Sequence, residues 1–276
     1  MEVTVSMFLI LFTLAFICEY IDSSLGMGYG TILSPILIIM GFNPLIAVPA
    51  ILLSQAFGGF SASMFHQRFE NVTFNRKSAD LKIALIVTGF GIFATIFAAI
   101  VAINIPKVAV KTYIGVLVLA MGIIIISNKK FVFTWKKIFG VGILGAFNKG
   151  LSGGGFGPVI TGGQILSGHN HKRAIGVTTL AEVPICIVGF ITFVIVRTIK
   201  EIEGPILSLP FSDFTKILFS EKMMQWELLV ALILGSVLVT PFGAFTTKKL
   251  NAKYMHLILG IIITSLGIWT LVKTYT

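Results

Sequence analysis

The chain has 276 residues, of which 56% are hydrophobic and only 12% are charged, and its formal net charge at pH 7 is +10. Soluble domains carry about 25% charged residues. The uncharged stretches at 23–65, 83–106 and 228–247 exceed the roughly 20 residues that cross a bilayer as a helix. This composition excludes a soluble nucleic-acid-binding protein, because basic residues between apolar segments set membrane topology. The sequence predicts an all-α polytopic membrane protein.

The first apolar segment, 3–22, is predicted to be a retained transmembrane helix. It has neither the basic n-region nor the small-residue cleavage site of a signal peptide. Cys18 and Cys186 both lie inside apolar segments. We therefore expect them to be small buried hydrophobes rather than partners in a disulfide.

Apolar runs between charges and turn residues define ten helical segments, of which eight are predicted spans and two are shorter. The short segments, 31–41 and 157–168, each cover only about 18 Å of a hydrocarbon core about 30 Å thick. Each follows a glycine-rich stretch, so we expect a half-helix completed by an extended loop inside the membrane. The predicted spans are 3–22, 45–65, 82–104, 108–127, 136–149, 173–197, 225–246 and 253–273.

The two glycine-rich stretches, 23–30 and 150–157, belong to an internal repeat. Shifting the chain by 127 residues aligns them without a gap and places Tyr29 on Phe156. The identical pairs are Gly26/Gly153, Gly28/Gly155, Gly30/Gly157, Ile38/Ile165, Gly41/Gly168, Asn43/Asn170, Ala47/Ala174 and Leu53/Leu180.

A second block, beginning at Ile114 and at Leu259, aligns at an offset of 145, and the longer loop at 198–224 accommodates the difference. We therefore predict two homologous halves, 1–130 and 131–276. Each half contains five segments, and an odd number places the two halves in opposite orientations across the membrane.

The charges favour this inverted topology. With the N-terminus outside, 13 of the 21 lysines and arginines fall in cytoplasmic loops, as the positive-inside rule requires. The remaining eight are assigned to the outside or to the outer ends of segments. The four cytoplasmic loops are 66–82, 128–137, 169–173 and 248–253.

Paired half-helices suit an anion site. A half-helix that begins near the midplane directs unpaired N–H groups and the positive end of its dipole at a ligand. Inverted repeats with interrupted helices are a recurrent plan of secondary transporters. Pro158 is expected at the start of the second half-helix, where proline is tolerated. The alternative is that the glycines only permit close helix packing.

The stretches "GMGYGTILSPIL" from Gly26 and "GGGFGPVITGGQIL" from Gly153, with the duplicated layout, resemble the sulfite exporter TauE/SafE family. This family of anion transporters is also called TSUP, the 4-toluene sulfonate uptake permease family, and the likeness extends over essentially the whole chain. The resemblance implies a carrier in the plasma membrane of a bacterium or archaeon. Its substrate would be sulfite, thiosulfate, a sulfonate or a related anion, exported or imported.

Polar residues inside apolar segments are functional candidates, because their burial in a membrane is unfavourable. Gln55 and Glu182 are equivalent in the repeat. A buried glutamate readily takes up a proton, so Glu182 is the first candidate for proton coupling; alternatively it is a structural carboxylate bonded to a neighbouring helix. The following Pro184 is expected to open that helix locally.

Three further charged residues flank the glycine loops. Glu19 and Asp22 are either interfacial residues at a helix end or part of a gate. Lys149, which aligns with Asp22, either attracts an anionic substrate or extends to the outer interface as long basic side chains do.

The predicted substrate site combines the glycines with nearby hydroxyl and amide groups. Ser24, Thr31 and Ser152 closely flank the glycines and offer donors to sulfonate oxygens. The full set of substrate-binding candidates is Ser24, Gly26, Gly28, Tyr29, Gly30, Thr31, Gln55, Asn148, Ser152, Gly153, Gly155, Phe156 and Gly157.

Two other functions are alternatives to a carrier. An anion channel of the same architecture has the same sequence pattern, and "LGMGYG" superficially resembles the potassium filter, which uses four loops. A membrane enzyme is disfavoured: His169 and His171 form only a short pair, and Lys149 precedes Gly150 instead of following it as in a P-loop. We predict no cofactor and no metal. Without an ATPase module, active transport would use a gradient of protons or another ion, or a partner.

Overall fold

The computed structural model describes residues 4–127, 135–166, 169–202, 211–220, 223–249 and 253–276. Over these residues it is all-α, with eleven helices and no strand. They are α1 (Val5–Leu25), α2 (Tyr29–Ile39), α3 (Pro44–Arg68), α4 (Ala79–Asn104), α5 (Lys107–Ser127), α6 (Trp135–Ser152), α7 (Phe156–Leu166), α8 (His171–Glu201), α9 (Phe211–Leu218), α10 (Trp226–Lys249) and α11 (Lys253–Tyr275).

Six of the described helices are long and apolar enough to cross a membrane: α1, α3, α4, α5, α8 and α10. Their outer faces carry large apolar side chains, and Phe93 and Phe97 on α4 are 76% and 62% exposed. Lipid tails solvate such a surface, whereas water does not. The chain is therefore a polytopic membrane protein. The other two predicted spans fall on α6, of 18 residues, and α11, of 23.

The two predicted half-helices are present as α2 and α7, each of 11 residues and about 17 Å long. Both begin earlier than predicted, so Pro158 is the third residue of α7 rather than its first. Just before α2, Gly26 ends α1 in a left-handed conformation (φ 72°) that favours glycine. Its N–H donates to the carbonyl of Asp22 at 2.6 Å.

Parts of the sequence interpretation fall outside the described residues: 128–134 and 250–252 of two basic loops, 167–168 of the seventh segment, and 203–210 and 221–222 of the long loop. The long loop differs from expectation where it is described. Helix α8 continues to Glu201, and α9 forms an additional helix of eight residues. Pro184 does not open α8, which runs unbroken from His171.

Equivalent residues of the predicted repeat start equivalent helices. The side chain of Asn43 accepts from the N–H of Leu45 at 3.1 Å and caps α3. The side chain of Asn170 accepts from the N–H of Lys172 at 3.0 Å and caps α8. Asparagine is a preferred N-cap because its side-chain oxygen satisfies a helix N–H that has no partner within the helix.

The helices before residue 128 pack mainly against those after residue 134. Helix α1 lies against α10, as α6 lies against α4; α3 lies against α10, as α8 lies against α4. Helices α3 and α8 pack together, and so do α5 and α11. The contacts follow the predicted repeat. If each helix is replaced by its equivalent (α1 by α6, α3 by α8, α4 by α10, α5 by α11, and the reverse), this set of contacts is unchanged. The glycine loops before α2 and α7 lie inside this arrangement.

Candidate functional site

The two glycine loops contact each other directly, backbone against backbone. A Cβ on Gly30 would overlap the carbonyl oxygen of Gly153, and one on Gly157 would lie 2.5 Å from the carbonyl oxygen of Gly26. Gly30 and Gly157 are an equivalent pair of the repeat, so the same close approach occurs twice. The packing interpretation of the glycines therefore applies within the loops as well, and no open cleft separates them in this structure.

Hydrogen bonds join the two loops across this contact. The N–H of Gly155 donates to the hydroxyl of Thr31 at 3.1 Å. Ser34 donates to the carbonyl of Ser152 at 2.7 Å, and Thr161 donates to the carbonyl of Gly26 at 2.8 Å. Ser34 and Thr161 are again 127 residues apart. The polar backbone of each loop is thus partly satisfied by the half-helix of the other.

Four polar side chains beside the loops form one continuous chain of contacts. A carboxylate oxygen of Asp22 accepts from the amide of Gln55 at 3.0 Å. The amide oxygen of Gln55 accepts from the ammonium of Lys149 at 3.2 Å, and that ammonium lies 2.7 Å from a carboxylate oxygen of Glu182. Helices α1, α3, α6 and α8 each contribute one member, and we call this set the polar chain.

The polar chain is buried, which bears on the interfacial alternatives for Asp22 and Lys149. Asp22 is 5% exposed, Lys149 1% and Glu182 4%. The interpretation of Asp22 and Lys149 as interfacial side chains is therefore wrong, although Lys149 does lie in the last turn of α6. Glu182 is bonded to a neighbouring helix, since its partner Lys149 belongs to α6.

The N-terminus of α2 already holds a carboxylate. The second oxygen of Asp22 accepts from the N–H of Tyr29, the first residue of α2, at 3.2 Å. A negative side chain is favoured there because the helix dipole is positive at that end. Before α7 the equivalent position is Lys149, a cation. The two glycine loops are therefore alike in backbone and opposite in charge.

Glu19 is buried one helical turn before Asp22. It is 0% exposed, and neither of its carboxylate oxygens has a hydrogen-bond partner. The interfacial interpretation is wrong for this residue also. A carboxyl group without partners is unusual, because burying a polar group without hydrogen bonds is unfavourable.

Some predicted site residues lie near the loops but bond elsewhere. The hydroxyl of Ser24 donates to the carbonyl of Tyr20 within α1 at 2.5 Å. The side-chain oxygen of Asn148 accepts from Tyr113 on α5. Phe156 packs in an apolar cluster with residues of α4 and α8. Ser152 donates to the carbonyl of Asn148 in α6 at 2.7 Å and accepts from the N–H of Gly154 at 3.1 Å.

Sequence reasoning missed three buried hydroxyl groups near this region. Ser34 joins the loops as described, and Ser54 lies 2.7 Å from the hydroxyl of Tyr29. Ser236 on α10 donates to the carbonyl of Ser54 at 3.1 Å. A serine in an apolar segment is only a weak sequence indication of a functional site, because its hydroxyl often bonds only to the backbone of its own helix.

An open pocket lies away from the polar chain, between α3, α8 and α10. It is lined mostly by apolar side chains. None of the polar chain residues lines it. At the far end of α7, the N–H of His169 donates to the carbonyl of Gln164 at 3.1 Å, and His171 begins α8.

Comparisons with known proteins give a family of membrane transporters. The model of the family "Sulfite exporter TauE/SafE" matches residues 11–270. Over 273 aligned residues the chain is 23% identical to the Bacillus subtilis (strain 168) protein "Probable membrane transporter protein YtnM", covering 93% of this chain and 80% of that protein. No solved structure matches the chain.

Proposed function

Because the chain belongs to the sulfite exporter TauE/SafE family of membrane transporters, we propose that it is a secondary carrier for a sulfur-containing anion. Sulfite, thiosulfate and organosulfonates are the candidate substrates. The carrier would work by alternating access in the plasma membrane of a bacterium or archaeon, with its N-terminus outside.

One observation carries this proposal: the buried ammonium of Lys149, the residue directly before the second glycine loop. Among the described residues, it is the only lysine or arginine in the polar chain. A buried cation must be paired, and here Glu182 supplies the negative charge. An anion that reaches Lys149 can take over this role. The second glycine loop leads into α7, which begins at Phe156, and the dipole of a helix is positive at its N-terminus.

The charge difference between the loops supports a substrate site in the second half. At α2 the carboxylate of Asp22 already occupies the first N–H of the helix. At α7 the corresponding residue is Lys149, which attracts an anion rather than replacing one. We therefore assign the substrate to the side of α7 and Lys149. The first glycine loop then serves as its packing partner, with Gln55 linking the two sides.

Substrate binding requires the ion pair between Lys149 and Glu182 to open. A desolvated carboxylate and a sulfur oxyanion compete for the same ammonium, since both accept its hydrogen bonds. The substrate-free protein keeps Lys149 neutralised by its own glutamate. This exchange limits the cost of leaving a charge unpaired inside the membrane.

The proposed alternating access rests on the two halves, 1–130 and 131–276, being inverted repeats. The exchangeable helix contacts and the equivalent loop contacts support this arrangement. The polar chain is closed to both sides in this structure, as in the occluded state of a carrier. Movement of one half against the other would expose Lys149 to each side in turn.

The proposal is tested by flux into proteoliposomes that contain the purified protein. Sulfite, thiosulfate, sulfate, sulfoacetate and taurine are offered in turn, and counterflow of a labelled anion is measured. We expect saturable uptake with counterflow for at least one anion, and its loss in Lys149→Gln. Lys216→Gln is the matched control, because Lys216 is exposed on α9. Large unitary currents would instead indicate an anion channel and overturn the carrier.

A further inference from the structure

The same three-helix junction occurs twice in the molecule, once with apolar residues and once with a glutamate. In the first, α4, α6 and α8 meet: a Cβ on Gly91 would lie 3.0 Å from Cγ1 of Ile185 and 3.2 Å from Cβ of Ala146. In the second, α10, α1 and α3 meet: a Cβ on Gly58 would lie 3.1 Å from Oγ of Ser236 and 3.2 Å from Cδ of Glu19.

The residues of the two junctions correspond position by position. The offset of 127 relates Gly58 to Ile185 and Glu19 to Ala146, and the offset of 145 relates Gly91 to Ser236. The first junction holds the side chain of Ile185. The second has Gly58 at the equivalent position, and the carboxyl group of Glu19 fills the space. The fold therefore packs this junction without a glutamate, so packing does not explain Glu19.

Glu19 stands where the first junction has Ala146, and its carboxylate oxygens have no hydrogen-bond partner. From these two observations we propose that the Glu19 carboxylate binds the coupling ion, and that this ion is a proton. The inference rests on the proposed transport function. The proton enters from water on one side, converts the carboxylate to the neutral acid, and returns to water on the other side.

A proton fits this place better than a metal cation. Hard metal cations are held by a shell of several oxygen ligands. Within the described residues, no three His, Cys, Asp or Glu side chains are grouped to hold a metal ion.

Electrostatics connects this site to the substrate. Glu19 interacts with Asp22 on its own helix, with Glu182 on α8 and with Lys149 on α6. A negative Glu19 repels an anion approaching Lys149, whereas a neutral one does not. Proton and anion therefore favour each other's binding reciprocally, which is what coupled transport of the two requires.

Other titratable groups lie near Glu19. A protonation change observed in this region must therefore be distinguished from protonation of these groups. Helices α3 and α10 face it with Gly58 and Ser236. The titratable neighbours are Cys18 and Asp22 on α1, Tyr29 on α2, Lys149 on α6, and Glu182 and Cys186 on α8.

The first test needs no substrate. Infrared difference spectra of the purified full chain in lipid, recorded between acidic and alkaline pH, report protonated carboxyl groups. We expect one carboxyl band to be lost in Glu19→Gln and retained in Glu227→Gln, since Glu227 is an exposed glutamate of α10. Identical spectra for wild type and Glu19→Gln would overturn the proton site, whatever the substrate is.

The second test measures coupling with labelled thiosulfate and labelled sulfite as probes. If one proton moves with each anion, a pH difference of one unit changes the accumulation ratio by up to about tenfold. We expect a ratio near one in Glu19→Gln, with anion-for-anion exchange at equal pH still measurable. Absence of exchange in the wild type would reject the proposed function instead. Accumulation driven by Na⁺ and lost in Glu19→Gln would replace the proton with a metal cation.

A third variant separates a structural role from coupling. The triple variant Glu19→Ala, Gly58→Ile, Ser236→Gly copies the apolar junction into the second place. We expect it to insert, to exchange anions, and to ignore the pH gradient. Accumulation that still follows the pH gradient in this variant would contradict the inference. If the triple variant does not fold, Glu19→Asp serves, and it is expected to restore part of the gradient dependence that Glu19→Gln lacks.

Discussion

Asp22 and Lys149 are joined in the structure by one side chain, because the amide of Gln55 donates to the first and accepts from the second. The two residues are 127 positions apart and equivalent in the predicted repeat. Opposite charges thus meet across the axis that would relate the two halves. Under the proposed alternating access, movement of one half against the other would change the contact between Gln55 and Lys149.

Removal of Lys149 should destabilise the protein more than removal of any surface lysine. Lys149→Met leaves Glu182 buried without its partner, and loss of one member of a buried ion pair costs about 3–5 kcal/mol. The double variant Lys149→Met, Glu182→Leu should recover most of this loss while remaining inactive in transport. Denaturant unfolding in detergent measures both. The control is the exposed pair of Lys216 and Asp213, where Lys216→Met should lower the free energy of unfolding by less than about 1 kcal/mol. Equal losses at the two sites would contradict a buried ion pair of Lys149 and Glu182.

The amide of Gln55 should be required for transport. Gln55→Leu removes the acceptor of Lys149 and the donor to Asp22, and each buried polar group left unpaired costs about 1–3 kcal/mol. Gln55→Glu keeps the shape but sets a second carboxylate beside Asp22, so it should reduce the transport rate further. Initial rates of anion exchange measure the difference. Wild-type rates in both variants would show that the polar chain has no role in transport.

The contact between the loops predicts a strict requirement for glycine. Gly30→Ala and Gly157→Ala each place a methyl group against a backbone carbonyl of the other loop, where neither atom can move independently. We expect a large loss of folded protein in membranes. Gly162→Ala on α7 is the matched control, because a Cβ there meets nothing within 4 Å. It should be neutral or stabilising by about 0.5–1 kcal/mol, and size-exclusion profiles in detergent distinguish the outcomes.

Larger side chains in the loops should abolish transport while leaving the protein inserted. Gly28 has φ 144° and Gly155 has φ 80°, conformations that L-residues rarely adopt and that cost roughly 1–2 kcal/mol each. The double variant Gly28→Leu, Gly155→Leu should therefore lose anion exchange. Gly89→Leu on the outer face of α4, where a Cβ meets nothing within 4 Å, should transport normally. Unchanged transport by an inserted double variant would refute the site.

The inverted arrangement predicts that both termini lie outside. In a background of Cys18→Ala and Cys186→Ala, single cysteines at Ser6 and Thr276 should react with an impermeant thiol reagent added to intact cells. A cysteine at Arg76, also exposed, should react only after the membrane is opened. Labelling of Arg76→Cys in intact cells would reverse the orientation.

The sequence predicted helices well where an element has a clear local pattern. The two half-helices could be predicted because each combines a short apolar run with a preceding glycine loop, and both features are local. The additional helix α9 could not, because the loop around it shows no membrane-length apolar run. Helix α8 continues through Pro184, since proline inside a membrane helix is tolerated when its neighbours satisfy the freed backbone groups.

By itself, the sequence determined the membrane class, the all-α fold and the pairing of the two glycine loops, because composition and spacing are written along the chain. Only the tertiary structure decided what the charged residues do. Lys149 and Asp22 look like residues of an interface when judged by their neighbours in sequence. They are buried because α3 brings Gln55 to Asp22 and α8 brings Glu182 to Lys149. In each pair the two residues are 33 positions apart in the chain. Burial and charge pairing depend on distance in space, and the folded helices set that distance.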